Sequence, residues 1–133
     1  MKTPFKILIV DDELLITGTL QTILQCYGYK ATTFNNGFKA LNSIRSDYFH
    51  IALVDIGMPE MNGIELMAEI RRLSAHTRVI LMTGYDKYHP LVKEAIDASP
   101  DKLLYKPINP ETLMEIVSYY ERVFKSTHTS SLE

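Results

Sequence analysis

Cys26 is the only cysteine among 133 residues, so no internal disulfide can form and the chain fits a reducing compartment. An excess of either charge is also missing. The 14 Lys+Arg stand against 16 Asp+Glu, a formal net charge of −2, which removes the electrostatic case for nucleic acid or an anionic membrane surface. Any phosphate chemistry must then be local to a site. The most apolar runs, 7–10 and 79–82, are far too short to span a bilayer. No apolar signal region precedes Phe5, so the expected location is the cytoplasm. Neither a P-loop nor a G-x-G-x-x-G pattern occurs, which argues against a nucleotide enzyme or a dehydrogenase. What is present, 46% apolar and 23% charged residues at this length, suffices for one folded domain with a core.

Short apolar runs alternate with amphipathic helical patterns five times, the signature of an α/β fold: a five-stranded parallel sheet, doubly wound, with helices on both faces. Strands are expected at about 5–10, 29–34, 51–54, 79–82 and 102–106. The second is polar enough for an edge, and the fourth, the most hydrophobic, is expected at the centre. Helix one carries Ile16, Leu20, Ile23, Leu24 and Tyr27 at helical spacing and stops at Gly28; helix two covers about 37–46. Inward positions are expected at Leu66, Ile70 and Leu73 in helix three and at Leu91, Val92, Ala95 and Ile96 in helix four. Helix five presents Leu113, Ile116, Val117, Tyr120 and Phe124. Residues 1–124 form the domain. The Ser/Thr-rich segment 125–133 reads as a flexible tail, the start of a linker to an output domain, or, at Leu132-Glu133, a cloning remnant.

In such a sheet every strand delivers its C-terminal end to one edge, where ligands bind. Strand one ends in Asp11-Asp12 followed by Glu13, strand three in Asp55, strand four in Thr83-Gly84 and strand five in Lys106-Pro107. Clustered carboxylates repel and raise one another's pKa values unless a hard cation neutralises them, so Asp11, Asp12 and Asp55 predict Mg²⁺. An EF-hand spacing is lacking. Because Mg²⁺ binds through one or two carboxylates plus phosphate oxygens, the site suits phosphoryl transfer, with Lys106 supplying a point charge and Thr83 a hydroxyl donor. Asp55, alone at its strand end, is the candidate nucleophile; adjacent Asp11 and Asp12 look like a metal-holding pair.

At these residues the sequence resembles the receiver domain of bacterial two-component response regulators. The matching segments are Ile7-Leu8-Ile9-Val10-Asp11-Asp12-Glu13, then Asp55-Ile56-Gly57-Met58-Pro59-Glu60-Met61-Asn62-Gly63, then Leu81-Met82-Thr83-Gly84 and Tyr105-Lys106-Pro107, four ordered motifs spanning nearly the whole chain. The resemblance implies a flavodoxin-like strand order 2-1-3-4-5 and a cis Lys106–Pro107 bond. It also implies that Asp55 is phosphorylated by the phosphohistidine of a sensor histidine kinase or phosphotransfer protein. Asp12, Asp55 and the backbone carbonyl of Gly57 would bind Mg²⁺, with Asp11 acting through water. Lys106 would pair with the phosphoryl group and Thr83 would swing toward it as the switch. Helix four, strand five and helix five would face an output domain or partner, with phosphorylation-induced homodimerisation as one form of output.

This chain departs from that pattern twice. Leu103 stands where the family has an aromatic switch residue; Tyr105, on the same strand face, or Tyr85 or Tyr88 is the candidate replacement. Ser99-Pro100 replaces the usual Gly-Ala pair before strand five. Gly57 and Tyr85 occupy the positions that govern water access in the family. Singly, each feature has an ordinary explanation: Asp-Asp or Thr83 as helix caps, Asp55-x-Gly-x-Pro as a turn, Lys106 as a strand-end charge. Their coincidence at one edge defeats those explanations. His50, His76, His89 and His128 lack metal or triad spacing and read as surface or strand-edge residues, Cys26 as packing, and Arg71-Arg72 with Arg78 as a solvated helix end. Two other functions compete: a phosphorylation-independent interaction module, and a small Mg²⁺-dependent phosphatase with an aspartyl nucleophile. The latter needs a second Asp two residues on, where this chain has Gly57.

Overall fold

The structure, a computed structural model, describes residues 4–131. Its elements alternate throughout: β1 (Lys6–Val10), α1 (Leu14–Cys26), β2 (Lys30–Phe34), α2 (Gly37–Ile44), β3 (Ile51–Asp55), α3 (Gly63–Leu73), β4 (Arg78–Thr83), α4 (Pro90–Asp97), β5 (Lys102–Tyr105) and α5 (Pro110–Ser131). All neighbouring strands pair in parallel, in the order β2-β1-β3-β4-β5. β2 is an edge, as expected. The central place belongs to β3 and not to β4, which lies between β3 and β5; interior strands on either side of the middle are covered on both faces, so hydrophobicity alone does not rank them.

Side-chain alternation along the strands divides the core into two layers. Leu8, Val10, Ala52, Val54, Val79 and Leu81 face α2, α3 and α4 on one side. Ile7, Ile9, Ile51, Leu53, Ile80 and Met82 face α1 and α5 on the other, meeting Leu20, Leu24, Leu113 and Val117. Local signals set the helix ends. Gly28 takes φ 87 just after α1, and the Gly28 and Tyr29 N–H groups donate back to the Gln25 and Leu24 carbonyls, a left-handed stop that glycine adopts without a Cβ penalty. At α3, Asn62 accepts the Ile64 and Glu65 N–H groups while the Glu65 side chain accepts the Asn62 N–H, a reciprocal capping box.

Several expectations are corrected. Leu73 and Ile96 are exposed: Leu73 is the last residue of α3, three positions past the last inward residue Ile70, and Ile96 follows inward Ala95, so a single residue turns its side chain by about 100°. Cys26 is exposed because it lies two positions, about 200°, past the inward Leu24. His50 is buried. Its ring stacks on Phe5 at 4.5 Å, meets Phe124 edge-on at 4.3 Å, and its Nδ1 accepts the Lys6 N–H at 3.0 Å. Residues 125–131 continue α5 instead of forming an irregular tail. No Pro or Gly interrupts that segment, Lys125 pairs with Glu121 at 3.3 Å, and the Thr127 hydroxyl donates to the Val123 carbonyl. Residues 1–3, the His128 side chain and residues 132–133, with the expectation of a cloning remnant there, lie outside the described residues.

Leu53 is fully buried at the middle of the central strand. Leu53→Ala is expected to lower the unfolding free energy by about 2–5 kcal/mol, read as a shift in the urea midpoint at unchanged slope.

Candidate functional site

Parallel pairing places the C-terminal ends of β1, β3, β4 and β5 on one edge, and there Asp11, Asp12, Asp55, Thr83 and Lys106 converge. One carboxylate oxygen each from Asp11, Asp12 and Asp55 lies within 4.8 Å of the others. Asp11, Asp55 and Thr83 are buried; Asp12 and Glu13 face solvent. Lys106 reaches inward, its Nζ lying 2.6 Å from Asp11 Oδ2, 3.4 Å from Asp55 Oδ1 and 3.9 Å from Glu13 Oε1. The Lys106–Pro107 bond is cis, as the resemblance implied, and the Lys106 N–H donates to the Thr83 carbonyl at 2.7 Å, fastening the start of the loop to β4. Asp11 Oδ1 accepts the Glu13 N–H at 3.0 Å, which orients its other oxygen to Lys106.

The electrostatics follow from this packing. Burial pushes the Asp55 carboxyl pKa upward and the neighbouring Asp11 charge pushes it further; the Lys106 ammonium and the Gly57 N–H pull the other way without prevailing. Burial by itself disfavours a charged Lys106, yet the Asp11 hydrogen bond and the Asp55 charge raise its pKa overall, so the amine stays protonated. Net negative charge therefore remains, presented by hard oxygen donors only, and that donor set fits Mg²⁺ rather than a thiolate- or imidazole-seeking metal.

Two glycines shape the rim. Gly63 starts α3 directly beneath the site: a Cβ there would overlap the Asp55 carbonyl oxygen and lie 2.8 Å from Ile56 Cα, so only glycine lets α3 approach the end of β3 this closely. Gly57 is exposed, and a Cβ on it would meet Tyr85 Oη at 3.4 Å, so the Tyr85 ring covers that part of the loop. The Thr83 hydroxyl accepts the Tyr85 N–H at 2.9 Å. Tyr105 pairs in register with Thr83 and is 44% exposed, while Leu103 packs half-buried into the layer beneath α4. Sequence reading missed Gly63 as a packing contact and His89 as a structural group. His89 caps α4 and stacks on Tyr85. Its one signal was His-Pro immediately before a helical pattern.

Residues 7–118 match the family described as response regulator receiver domain. Transcriptional regulatory protein ZraR of Klebsiella oxytoca is 36% identical over 112 residues, which cover 84% of this chain and 25% of that protein. Regulatory protein AtoC of Escherichia coli (strain K12) is 37% identical over 112 residues, covering 84% of this chain and 24% of AtoC. The solved receiver domain protein (CheY-like) from Methanospirillum hungatei JF-1 superposes with a TM-score of 0.79 at 30% identity, covering 90% of this chain and 98% of that one. The BeF3-activated DrrB receiver domain gives 0.80 at 29% identity, covering 90% and 99%. A fold and a strand-end constellation of this kind, matched along most of the chain, define a response regulator receiver domain, and the chain belongs to that family. It spans about a quarter of the length of ZraR and AtoC.

Gly63→Ala is expected to cost on the order of 1–3 kcal/mol in urea unfolding, because the added methyl meets backbone and not a yielding side chain. For Asp55→Asn the sign follows from the raised pKa. Ionised Asp55 costs stability above its native pKa and nothing below the ordinary 3.8, so without divalent cation the variant melts higher than the wild type at pH 7. That advantage shrinks as the pH falls toward 3.8, as melting curves across pH would record.

Proposed function

We propose that this domain is a phosphorylation-operated signalling switch that accepts a phosphoryl group on Asp55 from the phosphohistidine of a sensor kinase or phosphotransfer protein, with Mg²⁺. The observation that carries the reading is the part-buried Lys106 ammonium set between Asp11 and Asp55 inside a three-carboxylate cluster. Asp12, Asp55 and the Gly57 carbonyl would hold the Mg²⁺, with Asp11 acting through water. The ion supplies positive charge that offsets the carboxylates and the phosphoryl oxygens. An Asp55 carboxylate oxygen attacks phosphorus; the new O–P bond forms as the N–P bond to the donor imidazole breaks, and the departing nitrogen takes up a proton. Lys106 neutralises one equatorial oxygen as charge accumulates in transfer. Thr83 then turns its hydroxyl from the Tyr85 amide toward the phosphoryl group, which favours a second conformation because only that one makes the contact.

The surface of α4, β5 and α5 passes the state to an output domain or partner, and a phosphorylation-induced homodimer is one form that output takes. The relatives' lengths and their regulatory names support a continuation into an effector. Tyr105, exposed beside Thr83, belongs to that surface. The setting is cytoplasmic; no described helix is long and apolar enough to cross a membrane.

Intact-protein mass after incubation with acetyl phosphate is expected to rise by one phosphoryl group when Mg²⁺ is present, and not in its absence or in Asp55→Asn. Lys106→Met is expected to take up the group at least about tenfold more slowly, as removal of one preorganised positive donor costs in comparable sites. Equal uptake by wild type and Asp55→Asn would overturn the assignment, and sustained release of phosphate from a phosphomonoester would favour the phosphatase.

A further inference from the structure

β4 leaves the sheet through Thr83, whose buried hydroxyl accepts the Tyr85 N–H at 2.9 Å. Two residues later, the Tyr85 ring lies flat on the His89 imidazole, centroids 3.8 Å apart and planes 6° from parallel. His89 is also the N-cap of α4. Its Nδ1 accepts the Leu91 N–H at 3.1 Å, and Pro90 fixes the first helical residue. One aromatic pair thus joins the hydroxyl at the end of β4 to the first turn of α4, with its outer edge against Gly57 in the loop after Asp55.

α4 is held unequally. Val92 and Ala95 are its only buried residues. Beyond its C-terminal end, the Arg71 guanidinium of α3 donates to the Ala98 and Ser99 carbonyls at 3.1 and 2.8 Å, a charge-assisted clamp that pins this end. The N-terminal end has the Tyr85 stack instead. On β5, Leu103 is aliphatic and half-buried against the core layer and Tyr105 is exposed, whereas Tyr85 is tied to Thr83 through its backbone N–H.

We propose that the Tyr85–His89 stack is the link by which the position of the Thr83 hydroxyl sets the N-terminal end of α4, with His89 acting as a positioning residue. This rests on the switch reading above. When Thr83 turns toward a phosphoryl group it gives up the Tyr85 N–H, and the Tyr85 backbone is free to shift. Separating two rings stacked this closely loses contact over a whole face, so the pair moves together. The shift therefore reaches the His89 backbone, and with it the cap of α4, while Arg71 keeps the far end still.

Two substitutions separate the ring from the cap. His89→Asn retains an acceptor for the Leu91 N–H and loses the stack; His89→Phe retains the stack and loses the acceptor. Amide hydrogen exchange over residues 90–97 is measured with and without Mg²⁺ and beryllofluoride, alongside the affinity for that pair of probes. In the wild type, loading changes α4 exchange. His89→Asn is expected to bind the probes as the wild type does and start from the same exchange, yet to lose more than about half of the loading-induced change. His89→Phe is expected to start from faster exchange and keep the change. An undiminished change in His89→Asn, or its equal loss in both variants, overturns the link alone. Failure of the wild type to bind the probes overturns the switch reading and the link with it.

Discussion

A part-buried ammonium held between two carboxylates governs everything at the C-terminal edge of this sheet. Lys106 lies 2.6 Å from Asp11 and 3.4 Å from Asp55, and taking away the ammonium leaves two desolvated carboxylates uncompensated. The contact depends in turn on topology. Chain order reverses at β1, with β2 on one side and β3 on the other, and that reversal opens the crevice in which Asp11 and Asp55 face each other. β5 must then lie beside β4, and its end must be fastened by the Lys106 N–H to Thr83, before the amine can reach the pair.

The compensation is incomplete. Asp55 still finds ionisation harder than in water, because burial and the Asp11 charge together outweigh the help from Lys106 and Gly57. Sites of this sort carry a standing conflict between local electrostatics and the fold around them. Here the surrounding packing is strong enough to hold it: β3 is buried from end to end, and Gly63 brings the capped start of α3 hard against the Asp55 backbone.

The sequence showed the parallel, doubly wound architecture because strands buried on both faces read as continuous apolar runs, and it showed the site because strand ends can be counted off once those runs are found. The strand order came from family resemblance, since alternation of elements does not say which strands are neighbours. What stayed hidden depends on contacts between distant residues. Nothing around His50 distinguishes it from a surface histidine until Phe5 and Phe124 are brought against it. Gly63 reads as a loop glycine until β3 arrives beside it, and His89 shows a stacking role only when Tyr85 folds back over it. Periodicity misplaced Leu73 and Ile96 because an apolar pattern does not mark where a helix runs off the edge of the surface it covers.

The aromatic cluster of Phe5, Tyr48, His50 and Phe124 lies at the opposite end of the strands from the acidic crevice, about 16 Å away along a five-residue strand. That separation makes the domain modular along its strand axis. The base, where rings interlock and tie α5 to the start of β3, can be reinforced or redesigned for robustness without altering the charge balance at the top. Conversely, the crevice can be retuned toward a different donor or a different dwell time while the base carries the burden of folding.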